Sequence, residues 1–476
     1  MKRLLLLLLA TVFVLSAFAG CNKEPQTENT ATTENTAVET LPDQPYELPL
    51  TDFEGEQAVI LAMQGKIWQF EDYSSNADVV NEAIKKRTAL INEKLNCELT
   101  MSYVDHSNEA YATAVNQEAM TQSGSYDLIY SARGAKPTTY GYYCNLLDMP
   151  EVALDQPFFG QGYNEALTIN NTLYGATGYG SLSYIEGTSV IVFNKDLYED
   201  LFEGSMYAYV DDMSWTLETM LQMSELAQLD RKGDGMDAED RYGIAVTITG
   251  GSALMFSMGA QFMPFNDEGV PYFDYLNQKN IDIFGKVLNM MKQEYVTYTR
   301  DYLMNRDCFV EENCLFAMHY MSVPKVIRLT GTPIKYGMLP YPMLDASQGK
   351  YISSNEGAED FSIMQSAKDT KKAAILLNAY NYYSYLHTRP AQFEGAMKGQ
   401  LANSPDDARM LDIIMENVYL DFGYLYNSEL GGYCSYAFTM CREFKDEYVS
   451  FYTGQKDTIE GRLAELLESY ANPDED

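Results

Sequence analysis

Histidine and tryptophan are nearly missing from this chain, with three and two copies in 476 residues. His106, His319 and His387 are scattered and no C-x-x-C occurs, so a zinc site lacks ligands at a usable spacing. There is no G-x-S-x-G elbow for a serine hydrolase and no G-x-x-x-x-G-K-[ST] phosphate loop. Gly178-x-Gly180 has Ser183 where a dinucleotide fingerprint needs its third glycine. No cofactor is therefore expected. Basic residues are also short: 33 Lys and Arg stand against 68 Asp and Glu, a formal charge of −35. Such a surface argues against nucleic acid and against binding to anionic lipid. Glycosidases need only two well-spaced carboxylates, and in so acidic a chain sequence neither excludes such a pair nor identifies one.

What is present begins with Lys2 and Arg3, the apolar run Leu4 to Leu15, and the small-residue stretch Ser16-Ala17-Phe18-Ala19-Gly20-Cys21. A charged start, a short apolar run and small residues describe a secretory signal over 1–20. Ala19-Gly20-Cys21 resembles a lipobox, with Phe18 where leucine is usual, and implies acylation of Cys21. Residues 21–52 are rich in Thr, Glu, Asn and Pro with almost nothing apolar, which reads as a lipid-anchored disordered linker. Nothing after Cys21 is long and apolar enough to span a bilayer. Six further cysteines remain, at 97, 144, 308, 314, 434 and 441. Cys308/Cys314 and Cys434/Cys441 are the candidate pairs, free buried thiols being the other reading.

Ala58–Gln64 reads as a buried strand, Asn76–Asn96 as a helix with Asn76 as its cap, and Cys97–Val104 as a second strand. Glu109–Thr121 then reads as a helix and Tyr126–Ser131 as a third strand. This β-α-β-α-β order predicts a mainly parallel sheet covered by helices. In such sheets ligands meet the loops beyond the carboxyl ends of the strands, here 64–73, 105–108 and 132–138. The loop 230–240, DRKGDGMDAED, has Asp234 and Gly235 where a calcium loop wants them, counting from Asp230. Its third position is Lys232 and its ninth Ala238, so an acidic turn is the preferred reading and no metal is assigned; the calcium-loop candidates are Asp230, Asp234 and Asp240.

The stretch that organises the chain is 172–200, TLYGATGYGSLSYIEGTSVIVFNKDLYED. Glycines 175, 178 and 180 permit close backbone approach, and Ser189–Phe193 is a continuous apolar strand. Leu173-Tyr174-Gly175 followed by Phe193-Asn194-Lys195-Asp196-Leu197-Tyr198 resembles the first lobe-to-lobe crossing of extracellular solute-binding proteins of the maltodextrin-binding type, with Thr177 where proline is usual. Trp215-Thr216-Leu217-Glu218 is similar to the family's helix start, Trp215 being read as a packing residue. The stretch 313–321 is similar to its A-M strand, and Tyr336–Pro342 to its second crossing. The resemblance runs loosely from about Ala58 to about Tyr470.

It implies an α/β, periplasmic-binding-protein-like fold: two discontinuous lobes joined by a three-segment hinge, with a ligand cleft between them. Lobe 1 is expected over 53–172 plus about 347–402, and lobe 2 over 176–342 plus about 406–472. The third crossing is placed at Ala402–Pro405. The family position, with a tyrosine excess of 38 over 21 Phe and 2 Trp, points to a sugar ligand, since sugars offer apolar faces and hydroxyl rims to such rings. Trp68, beyond the first strand in a glycine-containing loop, is the leading ligand candidate. Arg133, Tyr179, Tyr184, Tyr320 and Tyr351 follow by position after family-like strands, and Glu356 as a carboxylate for sugar hydroxyls. The resemblance further implies a non-enzymatic monomer that captures a sugar or oligosaccharide. It would sit tethered by Cys21 on the outer face of the cytoplasmic membrane and deliver to ABC transporter permease subunits. The alternatives are a peptide or other polar solute on the same fold, a secreted glycan-active enzyme, or a glycan-adhesion protein.

Overall fold

A computed structural model describes residues 46–49, 51–105, 108–130, 141–355, 357–397 and 405–471. The first apolar run becomes β1 (Gln57–Met63), followed by β2 (Glu98–Val104) and β3 (Leu128–Tyr130). Both flank β1 in parallel, and β10 (Phe361–Ser362) closes the edge antiparallel to β3. The sheet order is β10-β3-β1-β2. Two helices serve as the parallel crossovers, Asp78–Leu95 and Asn108–Thr121. The first buries Val80, Ala83, Ile84, Ile91 and Leu95 at helical spacing. It begins two residues later than expected, and Ala77 takes the cap position without a side-chain bond. Asn76 is thus not a helix cap: its side-chain amide donates instead to the Trp68 carbonyl at 2.7 Å.

The second sheet contains β4 (Ser189–Asn194), β5 (Tyr242–Val246), β6 (Val296–Tyr298), β7 (Cys314–Tyr320) and β8 (Tyr336–Leu339), ordered β6-β5-β7-β4-β8. β4 is buried at every position and antiparallel to both neighbours, β7 and β8. Its last residue, Asn194, caps the next helix by accepting from the Leu197 amide. Trp215 is fully buried, its indole nitrogen donating to the Pro340 carbonyl at 2.8 Å, so it packs as expected. The helix Tyr433–Arg442 lays Phe438 against Gly251 in this lobe.

A short parallel ribbon of β9 (Ser353–Ser354) and β11 (Val418–Tyr419) joins the lobes. The chain first crosses at Ile185–Thr188, later than the expected boundary at 172–176, because Ala176 still pairs with Phe361 of lobe 1 and only Thr188 reaches Asn355. The expected second crossing, Tyr336–Pro342, is corrected: its first four residues are β8, an edge strand held by β4. The chain returns to lobe 1 only at Ser353–Asn355, just before β10 reaches β3. For the third crossing, 402–404 lie outside the described residues, while Pro405 opens the helix Pro405–Glu416, which packs on β8. All six described cysteines are free thiols, so neither candidate pair is bridged.

The glycines of the organising stretch are required by close contact, not by positive φ. A Cβ at Gly178 would stand 2.4 Å from the Phe158 carbonyl oxygen and 2.6 Å from Asn381 Oδ1. The Gly180 amide donates to that same Asn381 oxygen at 2.9 Å. Gly178→Ala is therefore expected to cost about 1–3 kcal/mol in denaturant unfolding. Gly285→Ala, in a helix where nothing lies within 4 Å of the new methyl, should instead gain about 0.5–1 kcal/mol.

Candidate functional site

At the carboxyl end of β1 the chain tightens into a 3-10 turn, Gln64–Gln69. Gln69 is fully buried there. Its side-chain oxygen accepts from the Tyr130 hydroxyl at 2.6 Å and from the Ser183 amide at 3.2 Å. One amide thus ties the loop after β1 to the end of β3 and to the approach to the first crossing. Beneath it, Arg87 from the helix Asp78–Leu95 is fully buried and donates to the Gln69 carbonyl and to Ser384 Oγ, each at 3.4 Å. Its guanidinium lies 4.2 Å from the Tyr380 ring centre. Burial lowers its pKa from the usual value.

The floor between the lobes is held by Asn355, also fully buried. It donates to the Tyr184 carbonyl at 2.7 Å and to Thr188 Oγ1 at 3.0 Å, and accepts from the Gly357 and Ala358 amides. From lobe 2, β7 ends beside the first crossing: Tyr320 lies opposite Ser189, and the Met321 amide donates to the Thr188 carbonyl at 2.8 Å. The next helix, Val323–Thr330, brings Lys325 across to lobe 1. Its ammonium stands 4.1 Å from the Trp68 ring centre, 3.3 Å from Asn76 Oδ1 and 3.4 Å from Glu186 Oε2. Only about 40 Å³ of space remains beside Lys325, Asn76 and Glu186, bounded also by Val80 and Phe393.

A second, much larger space borders β11, with a volume of about 1150 Å³. Tyr184, Gln161 and Glu165 line it from lobe 1, and Gln261, Phe265 and Lys279 from lobe 2.

The sequence candidates therefore separate. Trp68 lies at the strand-end face, in contact with lobe 2. Tyr179 and Tyr184 stand edge to face at 5.3 Å and line the larger space, Tyr179 also lying 5.3 Å from the Arg389 guanidinium. Tyr320 ends β7 at the hinge. Tyr351 is buried in lobe 2, its hydroxyl donating to the Val210 carbonyl at 3.2 Å, and lines neither space. Arg133 and Glu356 lie outside the described residues. Sequence reading passed over Lys325, Glu186, Gln69 and Asn355. One signal was legible beneath them: Arg87 interrupts the apolar stripe of its helix between Ile84 and Ile91. In the loop 230–240, Asp230 accepts from the Lys232, Gly233 and Gly235 amides, and Asp240 from those of Arg231 and Asp237. Asp230 and Asp240 are thus engaged by the loop's own backbone, and among the described residues no cluster of three His, Cys, Asp or Glu is placed to hold a metal.

No family model matches the chain, and no curated protein matches it. Solved structures do. The sugar-binding protein MalE from Xanthomonas citri aligns with a TM-score of 0.59 at 13% identity, covering 86% of this chain and 98% of that one. The ABC substrate-binding protein Lmo0181 from Listeria monocytogenes, in complex with cycloalternan, aligns with 0.54 at 11%, covering 86% and 99%. A cyclo/maltodextrin-binding protein complexed with maltotetraose aligns with 0.52 at 13%, covering 87% and 96%. The chain thus has the fold of ABC-transporter substrate-binding proteins of the maltodextrin-binding type, as its sequence resemblance implied.

His319, one residue before the end of β7, is buried, and its Nδ1 accepts from the Tyr320 amide at 2.9 Å. Burial, with a smaller contribution from Arg306, pushes its pKa down from 6.5 to about 4. Below pH 6.5 the unfolded chain takes up a proton that the folded chain refuses until about pH 4. Stability from this group is therefore complete above pH 6.5 and lost as pH falls towards 4. Between pH 7 and pH 5 the loss is about 2 kcal/mol. Urea unfolding at the two pH values should show that extra loss in the wild type and not in His319→Asn.

Proposed function

We propose that this protein captures a carbohydrate between its two lobes and delivers it to an ABC transporter permease. The observation that carries the reading is the convergence at the strand-end face. Lobe 1 supplies the Trp68 ring and Asn76, the first crossing supplies Glu186, and lobe 2 supplies Lys325. An indole face suits the C–H face of a sugar ring, and amide and carboxylate groups suit its hydroxyls. The fold's neighbours named for sugars and maltodextrins support the ligand class. Because lobe 2 faces these groups across the strand-end face, a solute held between the two lobes binds the closed arrangement better than the open one. That differential affinity is what drives closure. Titration calorimetry against mono- and oligosaccharides tests this. Trp68→Ala should weaken binding of the responding sugar at least about tenfold, near 1.4 kcal/mol, with the unfolding midpoint little changed. Unchanged affinity would remove Trp68 from the site.

The volume and lining of the larger space favour a second reading, in which the solute sits against β11. Phe265→Ala, which changes that space alone, would then weaken binding while Trp68→Ala would not.

Export and anchoring through Cys21 belong to the same proposal. Among the described residues no helix is long and apolar enough to cross a membrane, so membrane attachment in this reading rests on the acyl chain. Cys21→Ser should move the protein from the membrane fraction to the medium or periplasm, as followed by immunoblotting.

A further inference from the structure

The indole face that a sugar would need is already covered. Lys325 comes from lobe 2, and its ammonium has three donors. These face three groups: the Trp68 ring at 4.1 Å, Asn76 Oδ1 at 3.3 Å and Glu186 Oε2 at 3.4 Å. Two of these groups belong to lobe 1 and the third to the crossing, so a single side chain bridges both lobes and the hinge. The Lys325 and Glu186 side chains are only 21% and 18% exposed, which limits solvent screening of the pair. The remaining 40 Å³ or so beside them is far below the roughly 300–1,000 Å³ of small-molecule sites. A pyranose cannot stack on that indole face while Lys325 stays where it is.

We propose that Lys325 is a built-in competitor. It is an intramolecular latch that holds the lobes together in the absence of solute, and an incoming solute must displace it from Trp68. Lys325 engages the surfaces assigned above to ligand: an aromatic face, a carboxylate and an amide oxygen. Displacement would hand these to the solute's ring and hydroxyls and free the ammonium to turn aside. The latched form is closed but not competent to bind, so apparent affinity is reduced by the fraction of molecules that occupy it. The displacement step rests on the carbohydrate reading, whereas the latch itself does not.

Two measurements on the full chain keep these apart. Small-angle scattering of ligand-free protein should show a larger radius of gyration for Lys325→Met than for the wild type, with Lys325→Arg restoring the compact value through its retained charge. Equal radii for wild type and Lys325→Met would overturn the latch. Calorimetry with the saccharide panel should then show Lys325→Met binding several-fold more tightly than the wild type. Weaker binding by Lys325→Met would make Lys325 a ligand donor and sink the competitor. A change in radius with no saccharide bound by either protein would support the latch and count against the carbohydrate reading.

Discussion

The side-chain amide of Gln69 is the interaction on which the arrangement of this molecule depends. It is fully buried, and its oxygen holds Tyr130 at the end of β3 and Ser183 at the approach to the first crossing. Its own backbone closes the turn that carries Trp68. A buried amide oxygen without partners is costly, so the bonds to this oxygen hold these three segments in one register. Arg87 reinforces the node from below, bonded to the Gln69 carbonyl and stacked on Tyr380. Trp68 is therefore presented to lobe 2 by a braced turn, not by a free loop.

The hinge works on a similar principle. Asn355 engages the Tyr184 carbonyl and the Thr188 hydroxyl, and Ser189 Oγ donates to the Ser354 carbonyl at 2.8 Å. The two crossings are thus bonded into one ribbon, extended by β11. On one edge of this ribbon the lobes touch through Lys325, and along β11 they leave a space of about 1150 Å³.

Much of the fold was legible because its signals are local. The alternation of apolar strand and amphipathic helix over 57–130, the apolar β4 and the buried Trp215 follow from pattern and composition alone. The second crossing was misplaced because β8 is as apolar as a crossing, and only its pairing with β4 reveals an edge strand. The true crossing, Ser353–Asn355, is short and polar and carries no periodicity to read. The candidate site was legible only in part. Trp68 stood out by its place after β1, whereas Tyr351 was indistinguishable in sequence until its burial beside Val210 was seen. Lys325 and Glu186 lie 139 positions apart, and nothing in either neighbourhood announces the pair. Arg87 was the exception, since a cation on the apolar face of a helix calls for a buried partner.

The central claim is that the lobes capture a carbohydrate, and a thermal-melt screen of the purified protein against mono- and oligosaccharides, peptides and calcium tests it most directly. A saccharide at about 100 times its dissociation constant should add about 2.7 kcal/mol of stability. The account predicts a saturable shift with one saccharide family and an unaltered sugar afterwards. A shift with peptides alone, or breakdown of the sugar in the mixture, would contradict it.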